Sequence, residues 1–189
     1  MKLLRRVLFL SPFFLFHLAC SDDNNEAVVT DVIEAYESLD VSYGPDLNQT
    51  FDIFLPANRT NMTKTIILVH GGSWVGGDKS DMDFFKAYIL QRHPNIGIVN
   101  MNYTLADETT PPIPLQTDDI SAVVSYISEN KSSLIISDDI GFIGASAGAH
   151  LSLLWSYAND SNNQVDMVCS IVGPTNFTDP AYHDSLNPI

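Results

Sequence analysis

Basic side chains are scarce in this sequence. Nine lysines and arginines stand against 23 aspartates and glutamates in 189 residues, a formal charge of −14. Binding nucleic acid requires a basic face that neutralises phosphates, so nucleic acid is excluded as a partner. Cysteine is nearly absent, and two residues, Cys20 and Cys169, build neither a disulfide scaffold nor a Cys-rich zinc module. Long hydrophobic runs are missing as well. The most apolar stretch, residues 7–19, has 13 residues, short of the roughly 20 that cross a bilayer as a helix. Ten glycines and ten prolines without a period exclude collagen-like and low-complexity chains. What is present is 45% apolar and 17% charged, with a mean hydropathy of +0.05. That is the composition of a globular chain of one domain or slightly more.

The first 19 residues stand apart. Lys2, Arg5 and Arg6 precede the apolar run VLFLSPFFLFHLA, which ends at a small residue. A basic segment, a short apolar segment and a small residue read as an export signal. Ala19 precedes Cys20, and SDDNNE follows it. The arrangement resembles a bacterial lipoprotein signal, whose cysteine becomes the lipidated N-terminus. An ordinary secretory signal cut just before Cys20 is the alternative. Lipid on Cys20 would attach the chain to a membrane without a transmembrane helix, placing it at the cell envelope or surface; otherwise it is secreted. Without residues 1–19, 6 basic and 23 acidic groups remain, a formal charge of −17. The sequons at Asn48, Asn58 and Asn176 matter only in a eukaryotic host.

Along the rest of the chain, residues 20–40 read as an acidic tether and a lead-in ambiguous between helix and strand. Residues 41–189 read as a single α/β domain. Residues 41–43 and 50–55 suggest an antiparallel pair across the Gly44-Pro45-Asp46 turn. Runs at 65–70, 96–103, 139–144 and 166–172 read as buried strands, and helical spacing marks 81–91, 117–130 and 147–157. Thr117 is a candidate N-cap for the second helix. Buried strands separated by helices predict crossovers and a mainly parallel sheet with flanking helices. Cys169, within MVCSIV, reads as a core thiol. The pairs Asp22-Asp23, Asp118-Asp119 and Asp138-Asp139 are adjacent, so their side chains diverge. They read as solvated or capping residues, and no metal or cofactor is expected.

Two motifs carry chemistry. Gly144-Ala145-Ser146-Ala147-Gly148 falls between a strand and a helix. A nucleophile elbow needs that setting, because a strained turn lifts the serine clear of the sheet and small neighbours let strand and helix approach. His70-Gly71-Gly72-Ser73-Trp74 follows a buried strand. Glycines there let backbone N–H groups converge on a developing oxyanion, roughly 3–4 kcal/mol per donor. Inert glycine-rich turns are the alternative for both. Together with TFDIFLP (50–56), NYTLA (102–106) and DDISAVVSYI (118–127), the segments HGGSWVGGDKSD (70–81) and GASAGAHLSLL (144–154) resemble α/β-hydrolase carboxylesterases of the hormone-sensitive-lipase-like and feruloyl-esterase-like kinds.

The resemblance implies an α/β-hydrolase fold and a small-molecule ester substrate, with no cofactor. It implies Ser146 as nucleophile and the N–H groups of Gly72, Ser73 and Ala147 as the oxyanion hole. His70, Gly71, Trp74, Gly144 and Gly148 would support the motif, with Asp78 and Lys79 fixing the loop. Ser73 replaces the family's third glycine and Thr104 its usual arginine. Serine also needs an imidazole oriented by a carboxylate, in the order Ser, Asp or Glu, His. After Ser146 stand only His150, one turn into the same helix and expected to pack or face solvent, and His183, preceded by Asp179. His183 and Asp179 meet the order formally but fall where the family begins its cap, so neither is assigned. His93 carries no signal. The expectation is a chain holding the N-terminal portion of the fold, with cap and last strands missing. A serine esterase is the leading reading and an inactive surface-anchored binding protein the alternative. If Cys20 is the anchor, an alkyne fatty acid fed to cells will tag the wild-type chain and not Cys20→Ser; equal tagging would refute it.

Overall fold

A computed structural model of the chain describes residues 32–178. The signal segment, Cys20, Asp179 and His183 lie outside the described residues. Those described form β1 (Tyr36–Ser42), β2 (Thr50–Leu55), β3 (Thr65–Val69), a 3-10 turn (Lys79–Met82), α1 (Asp83–Arg92), β4 (Gly97–Met101), α2 (Leu115–Leu134), β5 (Ile140–Ala145), α3 (Ala147–Ala158) and β6 (Val165–Ile171).

The strands make one sheet in the order β1-β2-β4-β3-β5-β6. β1 and β2 pair antiparallel, as does β2 with β4. The pairs β4–β3, β3–β5 and β5–β6 are parallel. β3 is central because TIILV suits burial on both faces; Ile67 lies between Val99 and Phe142 in register. After β3 the chain crosses to β4 on one side, then to β5 on the other. The reversal opens a crevice beyond the carboxyl ends of β3 and β5, where ligands bind in such sheets.

The period-two alternation of the strands feeds two cores. Ile67 and Val69 face α2 and α3 with Phe51, Val99, Ile120, Val123, Ile127, Leu151 and Trp155. Leu68 and Ile98 face the other way, onto Met82 and Ile89 of the turn and α1.

Several expectations need correction. The first strand begins at Tyr36, so part of the lead-in pairs with β2. The second helix begins at Leu115, with Pro114 at the cap position; Thr117 lies inside it, its Oγ donating 2.6 Å to the Pro114 carbonyl. A proline already holds φ near the helical value, which suits entry there. Cys169 is exposed rather than buried. β6 buries one face only: Val168 packs toward the main core, while Met167, Cys169 and Ile171 line an open apolar groove of about 580 Å³ against Phe84, Phe85 and Tyr88 of α1.

Asp119 is the largest surprise. Asp118 is exposed, but Asp119 is only 3% exposed. It accepts from Gln49 Nε2 at 2.7 Å and from the Thr104 amide at 2.6 Å, joining the β1–β2 turn to the segment after β4. Asp119→Ala strands both donors, so urea denaturation should show a loss of about 1–3 kcal/mol; an unmoved midpoint would deny the carboxylate this anchoring role.

Candidate active site

β5 delivers Ser146 to the carboxyl edge of the sheet, and α3 starts at the next residue. Ser146 has φ 49° and ψ −114°, a region that L-residues avoid at about 1–3 kcal/mol. Packing holds it there. Its amide donates to the Ile171 carbonyl at 2.8 Å, and its carbonyl accepts from the His150 amide at 3.1 Å. Two glycines make the turn fit. A Cβ on Gly144 would lie 2.5 Å from the Gly148 carbonyl oxygen, and one on Gly148 would lie 2.3 Å from the carbonyl oxygens of Val69 and His70. Strand, elbow and helix therefore meet the end of β3 backbone to backbone.

That contact brings the two motifs together. A Cβ on Gly71 would come within 3.3 Å of Ser146 Cβ. The loop after β3 turns back at Gly72 (φ 118°), Ser73 (φ 52°) and Trp74 (φ 67°). The Gly72 carbonyl accepts from the amides of Val75 and Gly76, at 3.1 and 3.0 Å. The amides of Gly72 and Ser73 donate to no acceptor among the described residues. Ala147 is the first residue of α3, where amides have no acceptor within the helix. Gly71, which precedes Gly72 and Ser73, thus lies against Ser146, whose neighbour Ala147 opens α3.

Supporting residues fix this loop from three directions. His70 is buried, stacks on Tyr103 at a centroid distance of 4.2 Å, and places Nδ1 2.6 Å from the Gly71 carbonyl. Burial pushes the His70 imidazole below its ordinary value, against the opposing pull of that carbonyl and of Asp81 and Asp78. Burial likewise raises the Tyr103 phenol, keeping its O–H to donate to the carbonyls of His70 and Gly71, at 3.0 and 3.3 Å. The Trp74 carbonyl accepts from the Ala106 amide at 2.9 Å and from Gln116 Nε2 at 2.7 Å; the same Gln116 amide reaches the Thr104 carbonyl at 2.8 Å.

Downstream, Asp78 and Lys79 do not pair with each other. Asp78 caps the 3-10 turn through the Ser80 amide at 2.8 Å and accepts from Asn102 Nδ2 at 3.1 Å. Hydrogen bonds from Ser80 hold its carboxyl below the ordinary value. The Lys79 ammonium contacts Asp52 and reaches Asp40 at 2.5 Å. Burial works against its charge, yet the hydrogen bonds it donates to Asp40 and Asp52 raise it above the usual value. Lys79 and Asp52 side chains are only 11% and 12% exposed, so removing one partner leaves a charge stranded in a poorly solvated place.

His150 is half-buried. Its Nδ1 accepts from the Trp74 indole N–H at 3.3 Å, and its ring meets Trp74 and Phe177 edge-on, at centroid distances of 5.5 and 5.1 Å. Neither described histidine with a ring hydrogen bond, His70 or His150, directs it to Ser146. His93 ends α1, on the far side of the sheet. Among the described residues no group of three or more His, Cys, Asp or Glu is placed to hold a metal ion.

Gln116, Asp119, Asn102 and Asp52 were not singled out as supports from the sequence. A signal existed for two of them: Gln116 and Asp119 adjoin the apolar stripe Ile120, Val123, Val124 and Ile127, and polar residues beside a core stripe are candidates for buried hydrogen bonding.

The sequence model of BD-FAE matches residues 51–188, which takes in both motifs and the crevice between them. The chain belongs to the BD-FAE family. This BD-FAE chain is also 32% identical over 117 residues to the kynurenine formamidase of Scheffersomyces stipitis, covering 60% of the chain and 41% of that enzyme. Among solved structures it resembles a truncated form of a carbohydrate esterase from gut microbiota, at TM-score 0.57 and 25% identity, over 66% of this chain and 44% of that one. A bacterial heroin esterase aligns at TM-score 0.50 and 27% identity, over 64% and 37%. A bifunctional GH43-CE protein of Bacteroides eggerthii, at TM-score 0.63 and 22% identity over 77% and 21%, shares the fold. The described residues therefore form part of an α/β-hydrolase fold, and the chain spans 41% of the curated relative's length.

The BD-FAE elbow should tolerate no side chain at Gly148. Gly148→Ala drives a methyl into two backbone carbonyls, so thermal unfolding should show destabilisation of about 3 kcal/mol or more. A wild-type melting curve would mean that strand and helix stand farther apart.

Proposed function

We propose that this chain supplies the nucleophile and oxyanion groups of a serine carboxylic-ester hydrolase. The carrying observation is Ser146, strained at the strand–helix junction beside amides of Gly72 and Ser73 that are not committed elsewhere. Ser146 Oγ attacks the ester carbonyl. Its bond to carbon forms as the carbonyl oxygen takes the negative charge, which the N–H groups of Gly72, Ser73 and Ala147 stabilise. Collapse breaks the carbon–oxygen bond to the alcohol, which leaves with a proton. Water then attacks the acyl-serine and releases the acid. His70, Gly71, Trp74, Gly144 and Gly148 shape the site.

The base that takes the serine proton, and the carboxylate that orients it, come from outside the described residues. The chain's 41% span of its curated relative supports reading it as the nucleophile portion of a longer hydrolase. A small acyl or carbohydrate-linked ester is the substrate class, supported by the 25% identity to a carbohydrate esterase. Lipid on Cys20 would hold the exported protein at the cell envelope or surface.

The full-length protein with a complete site should hydrolyse p-nitrophenyl acetate, and Ser146→Ala should abolish the reaction. One observation favours a second reading, a surface-anchored binding protein that keeps the crevice without turnover: no imidazole among the described residues bonds to Ser146. Equal background rates in the wild type and Ser146→Ala would favour it and remove the esterase assignment.

A further inference from the structure

We infer that His150 is a positioning residue for the oxyanion loop, holding Trp74 and with it the Gly72 and Ser73 amides in register with the nucleophile. The inference rests on the esterase reading of the crevice. The oxyanion donors sit on two separate elements. Ala147 belongs to α3, while Gly72 and Ser73 belong to the loop after β3. A developing oxyanion gains from all three only if these elements keep their spacing to within a few tenths of an ångström.

The loop's other side-chain and backbone anchors lead elsewhere. The Trp74 carbonyl is held by Ala106 and by Gln116 of α2, and the His70 and Gly71 carbonyls by Tyr103. Among the described residues, the Trp74 indole N–H donating to His150 Nδ1 is the one side-chain hydrogen bond joining residues 70–78 to α3. His150 is well placed to transmit this restraint. Its amide bonds to the Ser146 carbonyl at 3.1 Å, so one rigid helical turn separates the serine from the acceptor. The loop needs such a restraint. Ser73 and Trp74 are consecutive non-glycine residues at φ 52° and 67°, a backbone that relaxes unless its surroundings fix it.

Acceptance at Nδ1 requires that nitrogen to be unprotonated, so the neutral ring carries its proton on Nε2. Burial favours that neutral form, pushing His150 below the ordinary histidine value. Phe177, 5.1 Å away edge-on, closes the ring's remaining side.

The alternative is that His150 is an aromatic filler, and two substitutions separate the cases. His150→Phe keeps a ring and removes the acceptor; His150→Asn offers Oδ1 near the position of Nδ1. In the full-length chain, Ser146-dependent hydrolysis of p-nitrophenyl acetate should fall five- to tenfold in His150→Phe. The loss should appear in kcat at nearly constant KM, as expected when an interaction made only in the transition state is lost. His150→Asn should recover most of it. The chain's two tryptophans give a readout independent of catalysis. In a 15N-labelled protein the Trp74 indole N–H cross-peak should shift and exchange faster in His150→Phe and remain close to wild type in His150→Asn. The Trp155 peak, bonded to Ser121 Oγ at 2.8 Å, should stay in place.

The inference is overturned if His150→Phe leaves kcat and the Trp74 peak unchanged, or if His150→Asn is as impaired as His150→Phe. If the wild type shows no Ser146-dependent hydrolysis, the esterase reading fails separately. Amide exchange at Gly72 and Ser73 then decides: faster exchange in His150→Phe supports positioning, and unchanged exchange refutes it. Should His150→Phe not fold, Trp74→Phe removes the same bond from the donor side and is read in the same way.

Discussion

Everything at this site depends on how closely three backbones approach. The end of β3, the end of β5 and the first turn of α3 come together with no side chain between them, because positions 71, 144 and 148 carry only hydrogen. A single added carbon at 144 or 148 would fall 2.3–2.6 Å from backbone atoms and force them apart, and one at 71 would be tight at 3.1 Å. From this approach follow the bend at Ser146, the proximity of the two motifs, and the crevice at the point where strand order reverses. The rest of the molecule holds that geometry in place. The sheet supplies rigid strand ends; α2 and α3 bury one of its faces and α1 half-covers the other.

A second layer of restraint is electrostatic. The loop that leaves β3 returns along a polar ladder: Asp78 to Asn102, Asn100 to the Lys79 carbonyl, Lys79 to Asp52 and Asp40. Asp52, Lys79, Asn100 and Asn102 are partly or wholly withdrawn from water, so each is costly to leave unpaired, while Asp40 and Asp78 meet them from the exposed side. Taken with Gln116 and Asp119 on α2, they make a polar frame behind a glycine-rich loop that has few side chains of its own to anchor it.

The apolar periodicities were legible in the sequence because burial on both faces, on one face, or along a helical stripe leaves different patterns in the residue order. TIILV and IGIVNMNY became central strands, and the small residues flanking Ser146 mark its turn. Capping and polar burial were less legible, since they depend on partners far away in sequence. Asp119 looks like half of a solvated pair until Gln49, 70 residues earlier, is seen to donate to it. Cys169 looks like a core thiol because MVCSIV is apolar but for Ser170; the run says nothing about whether both faces of its strand are covered. The acid–base partners of Ser146 were not legible, and neither described histidine near it is aimed there.

The dihedral angles of Ser146 have a consequence for how chemistry and stability divide at this position. At φ 49° any residue with a Cβ is strained and glycine alone is at ease. An alanine would inherit the same strain without the hydroxyl, while a glycine would relax it and leave the protein more stable. Thermodynamically, then, serine is the wrong residue for its own backbone. The fold tolerates it through the contacts of its neighbours, and under the proposed esterase reading position 146 is where the sequence sets reactivity above rest.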